Sequence, residues 1–429
     1  MKRAAIHTLG CKVNQYESEA MAEMLIKEGY EIVPFESQAD CYLINTCTVT
    51  SLSDRKSRQM IRRAKKKNPN ALLIVTGCYA QTAPEEIQNI PEVDLIVGTS
   101  RRNELPQLIK QAEQERICAV EDIMLQRKFE ALHITEYGPN RTRAFLKVQD
   151  GCDRYCSYCI IPYARGHVRS RKKEDVLAEI QTLAQNGILE IVLSGIHVAS
   201  YGRDLEHTDL LDLIQCAHEI QGIERIRLGS LEPNCITEEF ISALSKLPKF
   251  CPQFHLSLQS GCDNTLKRMN RHYSAKEYAD GVALLRRYFP NAGVTTDVMV
   301  GFAGETEEDF QESLRFVETI GFSQIHVFPY SIRKGTRAAN FPNQVSPQEK
   351  ERRAAKMLRL GERLTKRFLE KNSETKAKVL IEQEVAPGIY EGYTPQYIRV
   401  QIPSEENIAG QILEVTLHSP EKDFIFGKI

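Results

Sequence analysis

Residues 151–160 read GCDRYCSYCI and place three cysteines within eight residues of one another. Cys152, Cys156 and Cys159 follow the spacing C-x3-C-x2-C, directly after a predicted strand at residues 144–149. A structural zinc site usually has four ligands in paired C-x2-C hooks, and this loop shows no fourth ligand. Three thiolates can instead hold an iron–sulfur cluster and leave one iron open to another ligand. We therefore favour an iron–sulfur cluster over a zinc ion.

The chain around this loop has the pattern of a β/α barrel. Six predicted strands alternate with predicted helices, and they occupy residues 144–149, 190–195, 225–230, 254–260, 294–301 and 324–330. Such alternation is typical of a parallel sheet, and six units of this length indicate a (β/α)6 part-barrel. Functional residues of barrels lie on the loops that follow the strands, as the three cysteines do.

A second α/β pattern precedes the barrel and predicts an open parallel α/β sheet. Its predicted strands lie at residues 4–10, 41–46, 71–77 and 93–99, and its predicted helices at 15–29, 54–68 and 103–115. Asn14 stands three residues before Glu17, a spacing that predicts a capping box at the start of the first helix.

Four short alternating strands near the end of the chain predict a small antiparallel β-barrel. The fold class is therefore α/β, with an open sheet, a part-barrel and this small barrel in order. The predicted segments are an N-terminal α/β domain at 1–118, a linker at 119–140, the part-barrel at 141–370 and the small barrel at 371–429.

The composition excludes several classes of protein. With 42% hydrophobic and 26% charged residues, the chain is typical of a folded globular protein. Its start lacks the apolar stretch of a signal peptide, and no run of 18 apolar residues predicts a membrane span. We expect a cytoplasmic protein without a membrane partner. Twelve cysteines in that reducing compartment indicate metal or redox roles for some of them.

Three further cysteines each follow a predicted strand of the N-terminal sheet: Cys11, Cys47 and Cys78. The carboxyl ends of parallel strands meet at one edge of a sheet, where ligands of open α/β folds bind. Free cysteine is also common in protein cores, and we interpret the other six cysteines in that way. Three thiols at three strand ends favour a second cluster.

A basic helix and several aromatic or cationic side chains are candidates for RNA binding. The net charge of −1 excludes a gross attraction to nucleic acid but not a local patch. Residues 55–67 carry eight basic side chains, which either form a solvated helix face or neutralise phosphates. The candidate contacts are Arg55, Lys56, Arg58, Arg62, Arg63, Arg165, Arg169, Tyr393 and Arg399.

The cysteine loop, with Tyr158 before its last cysteine, resembles that of radical S-adenosylmethionine (SAM) enzymes. Together with the N-terminal cysteines, it resembles the methylthiotransferases along essentially the whole chain, whose last part is similar to the family's TRAM domain. The strings that carry this resemblance are HTLGCKVNQYESE, INTCTVT, VTGCYAQ and GCDRYCSYCIIPYARGHVRSR. TLGCKVNQYES is most similar to the branch that modifies N6-threonylcarbamoyladenosine at position 37 of tRNA.

The resemblance implies two [4Fe-4S] clusters, one on each set of three cysteines, and a radical reaction without a side-chain acid or base. One SAM molecule would donate a methyl group and a second would yield the 5′-deoxyadenosyl radical that attacks C2 of adenine. The implied partners are the tRNA anticodon loop and an electron donor such as a flavodoxin or ferredoxin. The SAM contacts expected near the barrel loops are Tyr158, Ser194, Gly195, Glu232, Ser257, Gln259 and Asp297.

Alternatives remain for the substrate and for the class of protein. The same chemistry acts on N6-isopentenyladenosine in tRNA or on a ribosomal protein aspartate in other branches. A zinc-stabilised RNA-binding protein without catalysis is the alternative of another class. Within the barrel, residues 301–306 (GFAGET) either approach SAM or cap the next helix.

Overall fold

The N-terminal domain is a parallel sheet covered by helices, seen in a computed structural model that describes residues 1–135 and 141–429. Its strands are β1 Lys2–Thr8, β2 Tyr30–Val33, β3 Cys41–Thr46, β4 Leu72–Gly77, β5 Leu95–Val97 and β6 Ile117–Ala119. They are parallel and ordered β2-β1-β3-β4-β5-β6. The helices are α1 Lys12–Lys27, α2 Ser51–Lys67, α3 Cys78–Thr82, α4 Pro84–Gln88 and α5 Leu105–Ala112. This confirms the predicted open parallel sheet.

The sequence pattern did not predict two strands of this sheet, β2 and β6. They have four and three residues and lie at the two edges of the sheet. In β2 the two central side chains, Glu31 and Ile32, are exposed. Edge strands this short carry too few buried positions for a period of two to be visible in the sequence.

The first helix begins earlier than the sequence pattern suggests. It starts at Lys12, with Cys11 at the N-cap position and no side-chain cap. Asn14 and Glu17 therefore lie inside the helix, and both are buried. The predicted capping box is wrong, because these side chains bond to other parts of the protein. Asn14 Nδ2, for example, donates to the carbonyl of Thr46 at 3.0 Å.

The second domain is an arc of parallel strands. Its strands are β7 Arg143–Asp150, β8 Arg169–Ser170, β9 Glu190–Gly195, β10 Arg225–Leu228, β11 Gln253–His255, β12 Gly293–Val300 and β13 Gln324–Pro329. The sheets β10-β9-β7-β8 and β11-β12-β13 are joined by parallel bridges from Ile226 to Phe250 and from Leu231 to Leu256. Only β8 is antiparallel, and β7 does not pair with β13 in the described part of the chain. The arc is the predicted (β/α)6 part-barrel.

Helices cover the outer face of the arc and enclose the largest hydrophobic core of the protein. These are α7 Lys173–Gln185, α8 Leu210–His218, α9 Glu238–Leu244, α10 Asp263–Arg268, α11 Ala275–Tyr288 and α12 Glu307–Ile320, whereas α6 Ile161–Arg165 packs on α3 of the N-terminal domain. Thr306 caps α12, and its side chain and that of Asp309 form a capping box. The GFAGET segment thus caps a helix, which was one of its two expected roles.

A long helix, α13 Pro347–Asn372, packs on β13 and leads into the C-terminal barrel. The barrel strands are β14 Lys376–Ala386, β15 Ile389–Tyr393, β16 Arg399–Pro403, β17 Ile412–Pro420 and β18 Ile425–Lys428. They close in the order β14-β15-β16-β18-β17. The predicted small barrel is confirmed, but it is not wholly antiparallel, because β18, a fifth strand that was not predicted, pairs parallel to β16. None of the helices in the described residues is both long and apolar enough to cross a membrane.

The segment predicted as a linker, residues 119–140, packs on α1 over part of its length. Leu132 and Ile134 are buried against Tyr16 and Ala20, and the Tyr16 hydroxyl donates to the carbonyl of Leu132 at 2.5 Å. Residues 136–140 lie outside the described residues. The segment thus contributes to the core beside α1, and the domain boundaries stay a proposal.

The C-terminal barrel docks on the amino-terminal end of the part-barrel through buried arginines. Arg225 donates to the carbonyls of Tyr393 and Lys378, both at 2.8 Å. Arg227 donates to the carbonyl of Pro395 at 2.9 Å and pairs with Glu190 at 3.0 Å. Hydrogen bonds to charged groups are among the stronger ones, so this contact fixes the turn between β15 and β16 under the part-barrel.

Candidate functional site

The loop with Cys152, Cys156 and Cys159 is folded tightly on the end of β7. A Cβ on Gly151 would lie 1.8 Å from the carbonyl oxygen of His167, so only glycine fits there. The Cys152 amide donates to the carbonyl of Gly166 at 3.0 Å, and the Cys159 amide donates to that of Cys156 at 2.9 Å. These bonds hold the three thiols in one turn.

The thiols of this loop lie close enough to influence one another's ionisation. Burial raises the pKa of Cys152 to about 11 and that of Cys159 to about 12, and the nearby Cys156 adds to both shifts. Thiols crowded in this way lose their protons when a metal binds, because its positive charge stabilises thiolates. Arg271 Nη1 donates to the Cys156 sulfur at 3.2 Å, which supports negative charge there.

The donor set fits an iron–sulfur cluster. In the described residues, no group of three His, Cys, Asp or Glu side chains is arranged so that it could hold one metal ion. A cluster spreads its thiolate ligands over several irons, so its cysteines need not converge on one point. Three sulfur ligands in one loop match a [4Fe-4S] cluster with one iron left open.

The structure brings Cys11, Cys47 and Cys78 to the same edge of the N-terminal sheet. They follow β1, β3 and β4, which are neighbours in the sheet. A Cβ on Gly10 would lie 3.3 Å from the Cys47 sulfur, so the turn before Cys11 rests against that thiol. Burial raises the pKa of Cys78 to about 12, with further upward contributions from Cys47 and Cys11. These thiols form a second three-sulfur set with the same fit to a cluster.

A buried charge network joins the two domains beside this second set. Arg165, six residues after Cys159, donates from Nε to the Cys78 sulfur at 3.2 Å and pairs with Glu17. Glu17 also pairs with Lys147 at 2.7 Å and with Arg102 at 2.6 Å. Burial opposes the charge of Glu17, but these three cations hold its pKa well below the ordinary value.

This network corrects two expected RNA contacts. Arg165 and Arg169 are 0% and 2% exposed, so neither can reach RNA in this structure. Arg169 donates to the carbonyl of Arg165 at 2.6 Å and lies 3.8 Å from Asp150. Both arginines are structural cations, because the acidic partners that they neutralise lie in the interior.

The side chains expected to bind SAM fall into two groups. Glu232, after β10, pairs with Arg154 of the cysteine loop at 2.6 Å and with Arg271 at 3.4 Å. Tyr158 packs edge-on to Phe302, with ring centroids 6.3 Å apart. These two therefore lie beside the cysteine loop.

The second group faces a cavity of about 1130 Å³. Ser194, Gly195 and Asp297 line this cavity, and Asp297 pairs with His255 at 3.4 Å. Ser257 and Gln259 are not among its lining residues in the described chain. Gln259 has a φ of +67° and bonds through its backbone to β12.

The cavity is shared by all three domains. The N-terminal domain contributes Cys11 and Lys12, the part-barrel contributes its inner face, and the C-terminal barrel contributes Tyr393, Tyr397 and Arg399. Its volume exceeds that of an ordinary small-ligand pocket and suits a bulky group such as a modified nucleoside. Lys12, which the sequence analysis did not single out, lies next to Cys11. Its side chain is exposed and lines the cavity.

The candidate RNA contacts on α2 differ in whether their side chains already pair with other residues. Arg55, Lys56 and Arg62 of α2 are exposed and make no side-chain hydrogen bond or ion pair to the described residues. Arg58 donates to the Tyr79 hydroxyl at 2.8 Å, and Arg63 donates to Glu36 at 2.7 Å.

The aromatic candidates in the C-terminal barrel form a flat surface at the cavity. The rings of Tyr393 and Tyr397 stack with centroids 4.7 Å apart, and the Arg143 guanidinium lies 5.1 Å from each. Arg399 pairs with Asp423 at 3.1 Å. Arg227 also lies 4.7 Å from the centroid of the Tyr397 ring, so the two rings stack on each other and on Arg143 and Arg227.

Comparison with known proteins agrees with this arrangement. The uncharacterized protein family UPF0004 matches residues 3–98, and the Radical SAM superfamily matches residues 146–317. The fold is similar to the radical S-adenosylmethionine methyltransferase TsrM of Kitasatospora setae, with a TM-score of 0.59 and 15% identity, over 79% of this chain and 77% of that chain.

Full-length relatives are more similar in sequence. The chain is 42% identical to the threonylcarbamoyladenosine tRNA methylthiotransferase MtaB of Bacillus subtilis (strain 168), over 97% of this chain and 94% of that protein. It is 37% identical to the tRNA-2-methylthio-N(6)-dimethylallyladenosine synthase of Sulfurihydrogenibium sp. (strain YO3AOP1), over 87% of this chain and 86% of that protein. Identity of this extent, together with the two sets of three cysteines, shows that the chain belongs to the radical SAM methylthiotransferase family.

Proposed function

We propose that this enzyme adds a methylthio group to C2 of N6-threonylcarbamoyladenosine at position 37 of tRNA. Four relatives named for threonylcarbamoyladenosine tRNA methylthiotransfer are 35–42% identical to it. The structural observation that carries the proposal is the pair of three-thiol sets in adjoining domains. Arg165 joins them, since it follows the loop of Cys159 and donates to the Cys78 sulfur.

The two sets would hold one [4Fe-4S] cluster each, and the residues around them would position SAM and substrate. When bound, the clusters and SAM supply the one-electron, sulfur and methyl chemistry that an unactivated C2–H bond requires. No side chain acts as an acid or base on the substrate in this proposal. Residues that line the cavity would orient the base, which is the protein's contribution to such reactions.

SAM would lie between the cysteine loop and the inner face of the part-barrel. Glu232 and Tyr158 lie on the loop side, and Ser194, Gly195 and Asp297 on the cavity side. Ser257 and Gln259 stay proposals on position alone. Arg271 links these surroundings to the thiols, because it contacts both Glu232 and the Cys156 sulfur.

The tRNA would contact two surfaces of the enzyme. Exposed cations of α2 would neutralise phosphates, and the surface of Tyr393 and Tyr397 would lie near the base that enters the cavity. The reductive cleavage of SAM needs an electron from outside the chain, for which we propose a flavodoxin or ferredoxin as the donor.

A reconstitution experiment tests this function. The anaerobically reconstituted enzyme is given SAM, a reductant and tRNA that carries N6-threonylcarbamoyladenosine, and the nucleosides are then analysed by mass spectrometry. The proposal predicts the 2-methylthio derivative of that nucleoside. A second reaction with tRNA that carries N6-dimethylallyladenosine tests the other substrate named among the relatives. Product from the second tRNA alone would contradict the proposed substrate.

A further inference from the structure

The start of α2, a few residues after Cys47, touches the loop that follows β13. The Ser51 amide donates to the Ser331 hydroxyl at 3.3 Å. Arg333, which is 9% exposed, pairs with Asp54 at 2.6 Å. This ion pair and this hydrogen bond hold the loop after β13 against the N-terminal domain.

Large apolar side chains are exposed on both sides of this contact. Val49 and Leu52 are each 54% exposed, and Phe328 and Ile332 are each 48% exposed. One exposed apolar side chain is ordinary, but several on segments that touch are typical of an interaction site. The contact between the two domains therefore presents an apolar surface to solvent.

The same two segments carry cations that are exposed and that make no hydrogen bond or ion pair to the described residues. They are Arg55, Lys56, Lys334 and Arg337. Asp54 is the only acidic residue within positions 48–67 and 322–348, and it is already paired. Glu36 and Glu86, which also pair with α2, contact cations further along the helix. We call these four apolar and four cationic side chains the junction surface, and it has a net positive charge.

The junction surface adjoins the cavity. His326 lines the cavity, and the alternation of side chains along β13 places Phe328 on the same face. On the N-terminal domain, Cys11 lines the cavity, and Val49 follows the neighbouring Cys47 by two residues. An RNA whose reacting base lies in the cavity therefore has its adjacent nucleotides within reach of this surface.

We propose that the junction surface binds the anticodon loop of tRNA, with phosphates on its cations and unstacked bases against its apolar side chains. This inference rests on the proposed function and names the surface that holds the nucleotides next to the reacting base. A single-stranded loop offers backbone charge and free base faces together, whereas a duplex offers mainly its backbone. An acidic redox protein would match the charges as well. The loop is favoured because the surface adjoins the cavity that the substrate base has to enter.

The test compares two RNAs on the same protein. One is an anticodon stem-loop that carries N6-threonylcarbamoyladenosine, and the other is a blunt duplex with the same number of phosphates. The affinity of the reconstituted enzyme for each is measured by fluorescence anisotropy at several salt concentrations. One variant combines Phe328→Ala with Ile332→Ala, and a second combines Lys334→Ala with Arg337→Ala. Leu358→Ala is the matched control, because Leu358 is 49% exposed on α13.

We expect the apolar double variant to bind the stem-loop about 10- to 100-fold more weakly and to bind the duplex as the wild type does. Because both RNAs meet the same protein, partial loss of folded enzyme cancels in the ratio of affinities. The cationic double variant should bind both RNAs more weakly and lower the slope of log affinity against log salt by about one per side chain. The control should change neither affinity.

An unchanged stem-loop affinity in the apolar double variant, or an equal loss for both RNAs, would overturn the inference. Normal RNA binding combined with weaker binding of a flavodoxin would also overturn it and would assign the surface to the electron donor. The proposed function fails by a different result, product from the dimethylallyl tRNA alone, so the two failures are distinguishable.

Discussion

The Arg165 guanidinium lies 3.2 Å from the Cys78 sulfur, although the two residues belong to different domains. The same side chain pairs with Glu17 and lies 3.4 Å from Asp150, at the end of the strand that leads into the cysteine loop. One buried arginine therefore links the Cys78 thiol to the strand that leads into the cysteine loop. This connection keeps the sheet edge and the barrel loop in a fixed relation.

We predict that Arg165→Leu destabilises the protein by about 3–5 kcal/mol, because it leaves the buried carboxylates of Glu17 and Asp150 short of a cation. Urea unfolding of the reconstituted protein measures this change. The matched control is Arg62→Leu on the exposed face of α2, which should alter the free energy of unfolding by only about 0.5 kcal/mol. Equal effects of the two substitutions would show that the network does not stabilise the domain contact.

Alanine at each of the six cysteines should separate two functions. Loss of Cys152, Cys156 or Cys159 should lower the iron content from about eight to about four per chain and abolish the production of 5′-deoxyadenosine. Loss of Cys11, Cys47 or Cys78 should lower the iron content equally. It should spare 5′-deoxyadenosine production and stop methylthiolation. Iron analysis and mass spectrometry of the products measure both effects.

Cys118→Ala is the control for these substitutions, because Cys118 is exposed and lies in neither set. It should keep the full iron content and activity. Stoichiometric zinc without iron in the wild-type protein would contradict the assignment of both clusters and favour the zinc-stabilised alternative. Methylthiolation that survived the loss of Cys47 would remove the second set from the reaction.

The docking of the C-terminal barrel should depend on pH through Glu190. Burial opposes the charge of Glu190, but Arg227 and Arg143 lower its pKa to about 2 from an ordinary 4.5. Because the folded pKa is the lower one, the ionised group stabilises the fold above pH 4.5, and this contribution is lost as the pH falls toward 2. Its full size at neutral pH is about 3 kcal/mol.

Glu190→Gln tests this prediction. Unfolding of wild type and variant is followed between pH 3 and 7, and the difference in free energy should shrink as the pH falls below about 4.5. Glu31→Gln on the exposed part of β2 is the control and should show no such trend. A difference that stays constant over this range would mean that the charge of Glu190 does not hold the barrel contact.

The unpaired cations of α2 should bind the phosphates of tRNA independently of its base sequence. Replacing Arg55, Lys56 and Arg62 with alanine should weaken tRNA binding and lower the slope of log affinity against log salt by about one per side chain. The exposed Lys276 on α11 provides the control substitution. An unchanged salt slope in the triple variant would place the RNA elsewhere on the enzyme.

What the sequence could predict followed from local patterns. The spacing of Cys152, Cys156 and Cys159 and the strand before them are readable because they lie within one short segment. Cys11, Cys47 and Cys78 could be grouped because the ends of parallel strands share an edge. Both inferences required only neighbours in the chain and the rule for parallel sheets.

What the sequence could not predict depended on distant partners. Arg165 matched the pattern of an exposed cation because its interior partner Glu17 is more than a hundred residues away. Arg169 did so because only the folded loop brings it to 3.8 Å from Asp150. Asn14 and Glu17 matched a capping box by spacing alone, and tertiary contacts then placed them inside α1. Lys12 was visible as a cation beside Cys11, but its place in the lining of the cavity is evident only from the folded structure.

The most direct test of the central claim is nucleoside mass spectrometry of tRNA from a strain that lacks this gene and from the same strain complemented with it. We expect that 2-methylthio-N6-threonylcarbamoyladenosine disappears in the deletion strain, that its unthiolated precursor accumulates, and that complementation restores the product. An unchanged level of that nucleoside, or loss of the 2-methylthio-N6-isopentenyladenosine nucleoside in its place, would contradict the account.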